Sequence, residues 1–413
     1  MSGKVHDLRS LADGSRKWLL DSQDPGSGGW AEHPGGRLSS LNTAEAIIAL
    51  IVSGVEAGDP SISKAVAFLY RDRPTVLPPN EGCWARSAGT AANPRVIPDL
   101  VRTSVAISAL VKAGEGPEVP AVRKAIEWVI DRQNRANDDT GWSNQRGAKS
   151  KVIPTCFALV ALMRLTVNAG QNEWREQIQR GLDQLTGRFR KPNSSFGDGA
   201  SAAIHTIHAV LVLQSARECA FNVPPDAERK AIDWLLEYQD EALAPVEEII
   251  DIDPEGDADY GFIFPNEALL IRVLGGSDDS RHRNTRLWND VQRGLSLRYD
   301  ERSYGFYGQR VFSWSTAAGL NAIASTERHL TSITARPAED VQGGKVGNAI
   351  LVFAVLLTCV VTYLSVSGKF KPLTAMTFVF LMLACLVAYR LIGETTFKQL
   401  VMRILPRSNR DDD

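Results

Sequence analysis

Residues 16–30 read RKWLLDSQDPGSGGW, and residues 43–50 read TAEAIIAL. The first stretch opens with apolar residues three and four positions apart, which is the spacing of a helix with one buried face. A glycine-rich turn that ends in tryptophan follows it. The second stretch is almost wholly apolar and predicts a helix that is buried on most sides. Together the two stretches predict one unit of an outer amphipathic helix and an inner apolar helix.

This unit recurs between residues 10 and 330 with a period of about 50 residues, in six copies. The amphipathic helices open at Arg16, Ser63, Arg123, Gln179, Arg229 and Gln292. The turns carry an aromatic residue beside glycine or cysteine, at residues 29–30, 83–84, 141–142, 196–197, 261–262 and 305–306. The apolar helices open at Thr43, Thr103, Thr155, Thr206, Pro265 and Thr316. Threonine caps helix amides and proline suits a first turn, so we expect these residues to start the inner helices.

Six inner helices surrounded by six outer ones satisfy this pattern, either as an open solenoid or as a closed toroid. The segment from Gln23 to the glycines and tryptophan of residues 28–30 resembles the QW motif of the squalene cyclase and protein prenyltransferase superfamily, and Gln133 with Trp142 gives a looser copy. The resemblance implies an all-α fold, an α6/α6 toroid over residues 1–335, because six copies close the rings of that superfamily. It implies no particular reaction, since enzymes and non-enzymes share the fold.

Two apolar stretches near the C-terminus predict membrane helices. Residues 346–367 (VGNAILVFAVLLTCVVTYLSVS) contain no Asp, Glu, Lys or Arg. Residues 372–392 (PLTAMTFVFLMLACLVAYRLI) contain only Arg390, placed where its side chain can reach the membrane interface. The short GKFK connection predicts an antiparallel transmembrane hairpin over residues 346–392, after a linker over residues 336–345.

Basic residues flank the hairpin on the side of both chain ends, where Lys345 precedes it and Lys398, Arg403 and Arg407 follow. The positive-inside rule predicts that the toroid and the charged tail over residues 393–413 lie in the cytoplasm. The N-terminus has no apolar run of signal-peptide length, which agrees with this prediction. The five cysteines lack CxxC spacing and are interpreted as reduced thiols.

Catalytic motifs of the resembled families are absent. Class II terpene cyclases protonate their substrate with the central acid of a DxDD motif, which this sequence lacks. The nearest acids, for which a solvated loop is the alternative, are Asp251, Asp253, Asp257 and Asp259. The Asp, Cys and His zinc ligands of prenyltransferases have no counterpart, and His205 and His208 are interpreted as core histidines rather than metal ligands. We expect no metal and no cofactor.

A glycosidase is a further alternative, because glycosidases on α/α barrels use two facing carboxylates. The candidates for such a pair are Asp138, Asp139, Asp198, Glu45 and Glu267.

Basic residues lie in the loops that lead into the inner helices in four of the six units, namely Arg37, Arg86, Arg102, Arg146 and Arg310. In a toroid these loops converge at one end of the cavity, where the planar fork of arginine suits phosphate or carboxylate. The nearby Trp30, Trp84 and Trp142 could contact the same ligand. The alternatives are solvated arginines and structural tryptophan wedges. These loop arginines predict an anionic ligand. Lys and Arg total 46 against 48 for Asp and Glu, so we expect no nucleic-acid partner.

Two functions remain open. The first is a membrane-anchored cytoplasmic sensor or effector, of a kind seen in bacterial stress and antiviral responses. Its toroid would bind an anionic or isoprenoid-like ligand or a protein partner. Its hairpin would act in the lipid membrane, where it could join copies of the chain into a homo-oligomer. The second is a terpene-cyclase-like or prenyl-transferring enzyme that acts on a membrane isoprenoid. The missing acid and zinc motifs favour the first function and leave an enzymatic role as the alternative.

Overall fold

The computed structural model describes residues 7–72, 82–90, 93–136, 138–168, 173–198, 202–244, 247–252, 259–263, 266–300, 303, 305–306 and 313–335. Its helices form successive pairs of an outer and an inner helix. The pairs are α1 (Leu8–Ser22) and α2 (Ser40–Val52), α3 (Pro60–Arg71) and α4 (Leu100–Lys112), α5 (Pro120–Asp131) and α6 (Val152–Asn168), α7 (Arg175–Gln184) and α8 (Ala203–Glu218), α9 (Ala227–Glu237) and, after the short α10 (Gln239–Leu243), α11 (Asn266–Gly275), then α12 (Arg286–Arg298) and α13 (Ser313–Ala335).

The inner helices form a closed ring. Nearly all residues of α2, α4 and α8 are buried, whereas α1, α3 and α5 bury one face, as their sequence patterns predict. Neighbouring inner helices pack in chain order, α2 on α4, α4 on α6, α6 on α8 and α8 on α11. The last helix meets the first, because Arg328 Nη2 of α13 donates to the Ile51 carbonyl oxygen of α2 at 2.9 Å. The closed toroid, rather than the open solenoid, is therefore the fold.

The threonines of the inner helices hold the aromatic turns, which differs from the predicted capping role. Thr43 lies inside the first turn of α2, which begins at Ser40, and its Oγ1 accepts the backbone N–H of Trp30 at 2.9 Å. Capping of α4 falls to Asp99, whose side chain accepts the Arg102 N–H. The bond between threonine and turn recurs in the pairs Thr103 and Trp84, Thr155 and Trp142, Thr206 and Phe196, and Thr316 and Phe306.

The glutamine of the QW-like turn joins successive repeats. Gln23 Nε2 donates to the Gly28 carbonyl oxygen at 2.7 Å and to the Ser61 carbonyl oxygen at 2.8 Å, so it ties its own turn to the first turn of α3. Gln133 makes the equivalent pair of bonds in the third repeat. Gly28 has φ +81°, and a side chain there would place Cβ 2.6 Å from the Lys64 Cβ. Only glycine fits this turn without strain.

Short antiparallel hairpins decorate the loops of the described part, and the all-α prediction omitted them. They are β1 (Trp30–Ala31) with β2 (Leu38–Ser39), β3 (Ala85–Thr90) with β4 (Asn93–Pro98), β5 (Glu247–Ile252) with β6 (Asp259–Ile263), and β7 (Tyr299–Asp300) with β8 (Gly305–Phe306). Strands this short show little alternation of apolar and polar residues, so the two-residue period that predicts strands is not visible in the sequence. The repeating pairs of helices are as predicted, and β1 and β8 add Trp30, Ala31 and Phe306 to the buried hydrophobic residues.

The chain divides into two compact units, Met1–Ser332 and Ile333–Asp413. Of the second unit, the structure describes only the last residues of α13. The predicted linker, the hairpin over residues 346–392 and the tail lie outside the described residues. Within the described part, no helix combines the length and the apolar character needed to cross a membrane. The membrane hairpin stays a prediction from sequence.

Candidate functional site

All six inner helices line a chamber at the centre of the ring, with a volume of about 110 Å³. Positions two residues after the turn-binding threonines face it, which places Glu45, Val105, Phe157, His208 and Ala318 on its wall. The wall is mostly apolar, and its further apolar residues include Ile48, Val160, Leu211, Ala268, Leu269 and Ala322.

Glu45 is the one carboxylic acid among the described residues that line the chamber. Burial raises its pKa above the usual value, and the positive charges of Arg164 and Arg272 oppose this rise. Within the described part of the chain, the Glu45 carboxyl group has no hydrogen-bond or ion-pair partner. A carboxyl group in such surroundings keeps its proton to higher pH and can act as a general acid.

Beyond the chamber, at the C-terminal ends of the inner helices, lies a vestibule of about 440 Å³. Its described wall carries four cationic side chains on four different helices: Lys112 on α4, Arg164 on α6, Arg272 on α11 and Arg328 on α13. Glu218 is the one acidic residue of that wall. Arg164 and Arg272 border both cavities, and among the described residues neither guanidinium has a hydrogen-bond or ion-pair partner. The chamber and vestibule together are of the size typical of ligand pockets.

The crowding of positive charge changes the pKa values of the vestibule. Burial, together with repulsion from Arg164, Arg272 and Arg328, lowers the pKa of Lys112 to about 7. Burial also lowers the pKa of Arg164 to about 10 and depresses that of Arg272. A lowered pKa is expected for each of these groups when cations are collected in a partly buried space with few counterions.

His208 faces the chamber, with its ring centroid 5.3 Å from that of Phe157. Burial lowers the pKa of His208 to about 3, aided by His205 and Arg272, so this imidazole is neutral at pH 7. His205 Nδ1 lies 3.6 Å from Asp198 Oδ1. Among the described residues, no three His, Cys, Asp or Glu side chains are placed to share a metal ion.

Two of the arginines predicted to bind a ligand interact with groups at the outer loops instead. Arg102 Nη1 donates to Ser39 Oγ at 3.1 Å, and Arg102 Nε lies 3.8 Å from Asp99 Oδ2. Arg146 Nη2 lies 3.1 Å from Asp131 Oδ2. Neither arginine belongs to the wall of the chamber or the vestibule.

Of the other three predicted arginines, the structure gives a location for two. Arg37 is exposed and does not border either cavity. The backbone of Arg86 lies on β3 opposite Ile97 of β4, and Arg310 lies outside the described residues. Ligand binding by the five loop arginines therefore stays a prediction, and the structure gathers its cations at the other end of the inner helices.

The three tryptophans proposed as ligand contacts lie in the protein core. Trp30, Trp84 and Trp142 are fully buried, and none belongs to the described wall of either cavity. Each indole Nε1 donates to a carbonyl oxygen of the preceding outer helix, at Leu19 (2.8 Å), Leu69 (3.0 Å) and Val129 (2.8 Å). This geometry favours the alternative interpretation, in which they wedge the helices of each pair together.

Of the four acids weighed as a DxDD substitute, the structure describes the backbone of two. Asp251 and Asp259 lie on the β5 and β6 hairpin, where a solvated loop was the alternative, and Asp253 and Asp257 lie outside the described residues. A hairpin forms here because the flanking residues IIDI and DYGFI suit extended pairing.

The five carboxylates weighed as a glycosidase pair lie on α2 (Glu45), on α11 (Glu267) and in the loops before α6 and α8 (Asp138, Asp139 and Asp198). Asp139 accepts the Ser150 N–H at 3.1 Å within a loop network, and Glu267 accepts from Arg298 Nε at 2.9 Å. Of the five candidates, Glu45 is the one on the chamber wall.

Reasoning from the sequence missed the cations of the vestibule. Lys112 and Arg164 each stand nine residues after the threonine of their helix, Thr103 and Thr155, and so share one inward-facing column. The available signal was a charged residue inside an otherwise apolar helix, in SALVKAG and ALMRLTV. A charge is retained in such a helix when it borders a cavity.

The chain was compared with known proteins. No family model matches the sequence, and a search of curated proteins gives no match. Solved structures do match. The cellobiose 2-epimerase of Spirochaeta thermophila is 14% identical, with a TM-score of 0.57, covering 78% of this chain and 98% of that one. An α-1,6-mannanase of Salegentibacter sp. is 10% identical, with a TM-score of 0.51, covering 78% of this chain and 99% of that one.

A third match is the type II terpene cyclase MstE of Scytonema, which is 11% identical with a TM-score of 0.50, covering 78% of this chain and all (100%) of that one. This chain has the α/α-toroid fold of these enzymes. At such low identity the likeness shows the fold alone, and the reaction must be argued from the chamber.

Proposed function

We propose that the toroid is an enzyme that holds an isoprenoid-like substrate in its central chamber and protonates it with Glu45. The observation that carries the proposal is the Glu45 carboxyl group, raised in pKa and without a protein partner in the described part, on the wall of an apolar chamber. This is the terpene-cyclase-like alternative, with Glu45 in place of the four acids Asp251, Asp253, Asp257 and Asp259.

The chamber wall suits a hydrocarbon better than a sugar. Ile48, Phe157, Leu211 and Leu269 present aliphatic and aromatic surface, whereas a sugar needs several hydrogen-bonding groups around its hydroxyls. One of the structural neighbours, a variant of MstE, was solved in complex with geranylgeranyl dihydroxybenzoate. Its TM-score of 0.51 supports the comparison of folds, and the substrate class is carried over here as part of the proposal.

The chamber supplies three features for proton transfer. Burial raises the pKa of Glu45 and so favours the protonated form that a general acid needs. The carboxylate that remains after transfer is stabilised by the nearby positive charges of Arg164 and Arg272. The Phe157 ring, on the same wall, can stabilise the carbocation formed on the substrate through its π face.

A membrane-anchored sensor or effector is the second candidate. It is favoured by the two apolar stretches over residues 346–392, which would hold the toroid at the bilayer where isoprenoids dissolve. In that function the same chamber binds its ligand without turnover. Both candidates place the protein at a membrane, with the toroid and both termini in the cytoplasm.

Glu45→Gln distinguishes the enzyme from the sensor. Glutamine keeps the size and shape of the glutamate side chain but has no acidic proton to transfer. Purified full-length protein in non-ionic detergent is incubated with prenyl alcohols and prenyl diphosphates, and products are identified by gas chromatography and mass spectrometry. After Glu45 adds its proton, the substrate cation loses another proton to solvent, and Glu45 takes up a proton from solvent again. We therefore expect an isomer of unchanged mass from the wild type and at least a hundredfold loss of rate in Glu45→Gln, within the range for removing a general acid.

Glu267→Gln is the matched control, because its carboxylate is engaged by Arg298 away from the chamber wall, and we expect it to retain activity. Substrate binding without product in the wild type would support the sensor. Equal activity of wild type and Glu45→Gln would refute the proposed acid.

A further inference from the structure

The vestibule collects more positive charge than the proposed proton transfer uses, since only Arg164 and Arg272 of its described cations act on Glu45. Lys112, Arg164, Arg272 and Arg328 project from four separate inner helices into one space of about 440 Å³, and Glu218 is the one acid on its described wall. Because the charges come from four helices, no single local motif explains the cluster. The cluster forms only when the ring of inner helices closes.

Protein groups do not satisfy these cations. Arg328 donates one hydrogen bond to the Ile51 carbonyl oxygen, at 2.9 Å. Arg164 and Arg272 make no hydrogen bond or ion pair within the described chain, although each guanidinium carries five donors. By contrast, Arg217 lies just outside this space and contacts both Glu228 at 2.7 Å and Asp278 at 3.2 Å.

Among the described residues, Glu45 and Glu218 are the acids whose charges favour the charged forms of Arg164 and Arg272. Cations that outnumber their counterions destabilise a fold, so their retention on inner helices needs a reason. Replacing them with apolar residues would fit the sequence pattern of the other inner-helix positions. The depressed pKa of Lys112, about 7, shows that burial and repulsion from its neighbours oppose its charge. An anion in the vestibule would relieve both the desolvation and the repulsion.

We propose that the vestibule is a binding site for a phosphate-type polyanion, held by the guanidinium groups of Arg164 and Arg272 with Lys112 and Arg328 around them. The planar fork of arginine matches two oxygens of a phosphoryl group, and the ammonium of lysine adds a point charge. Four cations suit an anion of more than one charge, such as diphosphate. Arg164 and Arg272 also border the chamber and act on Glu45, but anion binding in the vestibule does not require proton transfer by Glu45.

Isothermal titration of the full-length protein in non-ionic detergent with inorganic diphosphate tests the site. We expect saturable binding that weakens as salt rises, because charged contacts are screened. Arg164→Met and Arg272→Met should each weaken binding roughly tenfold to a hundredfold, the loss expected for one charged hydrogen bond. The matched control Arg217→Met should leave diphosphate affinity unchanged, since its guanidinium is engaged by two carboxylates.

Stability separates a binding role from a structural one. The same Arg164→Met and Arg272→Met variants should melt at an equal or higher temperature than the wild type without diphosphate, because each removes a half-buried charge that has no hydrogen-bond or ion-pair partner in the described chain. Arg164→Lys keeps the charge but loses the fork, so it should bind with intermediate affinity. Absence of diphosphate binding by the wild type, or full affinity in both methionine variants, would overturn the proposal.

A second titration with geranyl diphosphate identifies the source of the anion. Tighter binding than inorganic diphosphate would show that the anion is the head group of a molecule whose tail reaches the chamber, which adjoins the vestibule at Arg164 and Arg272. Equal binding would show that the site takes a free anion. Either result supports the site, and loss of both ligands in Glu45→Gln as well as in Arg164→Met would refute its independence from the acid.

Discussion

Trp142 is the sharpest test of the repeat architecture, because it touches all three helices that surround it. Its indole Nε1 donates to the Val129 carbonyl oxygen of α5 at 2.8 Å, and its backbone N–H donates to Thr155 Oγ1 of α6 at 2.9 Å. A Cβ added to Gly181 of α7 would lie 2.4 Å from the Trp142 ring, so the outer helix packs directly on the indole. The side chain is fully buried.

Trp142→Ala should therefore lower the free energy of unfolding by about 3–5 kcal/mol, the range for removing a large buried aromatic side chain. Trp142→Phe keeps most of the packing and removes the hydrogen bond, which contributes about 1 kcal/mol. Urea unfolding of the full-length protein, followed by far-UV circular dichroism, measures both from the midpoint and the slope.

Trp128→Phe is the matched control for the hydrogen bond. The Trp128 indole N–H is buried without a partner in the described part, so its removal should cost less than the Trp142→Phe change. Ligand affinity per folded molecule should be unchanged in all three variants. A Trp142→Ala protein of nearly native stability but reduced ligand affinity would refute the interpretation of this tryptophan as a wedge.

Three further predictions concern titration and folding. His208→Phe should make the folded protein less sensitive to acid. The pKa of the native imidazole is about 3 instead of 6.5, so its contribution to stability is present above pH 6.5 and is lost as pH falls toward 3. Urea unfolding midpoints across that pH range measure the effect. Lys112→Met should remove a rise in stability between pH 7 and pH 9, since the native lysine, facing Arg164, Arg272, Arg328 and Glu218, sheds its proton at about 7 while the unfolded chain still binds one. A fragment that ends at residue 335 should fold alone with a helical circular dichroism spectrum, and a strong strand signal would contradict the toroid.

The ring could be predicted from the sequence because its signals repeat. Apolar spacing marked both helices of each pair, and the QW-like segment at Gln23 marked the junction between pairs. The physical role of the motif came only from the structure, where Gln23 bridges to the Ser61 carbonyl oxygen of the next repeat. The loop hairpins were missed because pairing of two- to six-residue strands depends on tertiary context.

The site was harder to predict, because the sequence does not show which helix face points inward. The loop arginines attracted attention by recurrence, yet Arg146 lies beside Asp131 at the outside. Glu45 was considered as one carboxylate among five, and Arg164 was overlooked inside an apolar helix. Both become visible once the threonine of each helix is known to bind the turn, since that bond fixes which positions face the chamber.

The central claim, that the chamber is the site for an isoprenoid-like molecule, is tested most directly by photolabelling. Full-length protein in non-ionic detergent is irradiated with a diazirine-bearing prenyl alcohol, and labelled peptides are mapped by mass spectrometry with and without excess unlabelled geranylgeraniol. Labels on α6, α8 and α11 near Phe157, Leu211 and Leu269 that disappear under competition are the predicted result. Labels confined to residues 346–392, or to exposed apolar positions such as Leu297, that persist under competition would contradict the claim.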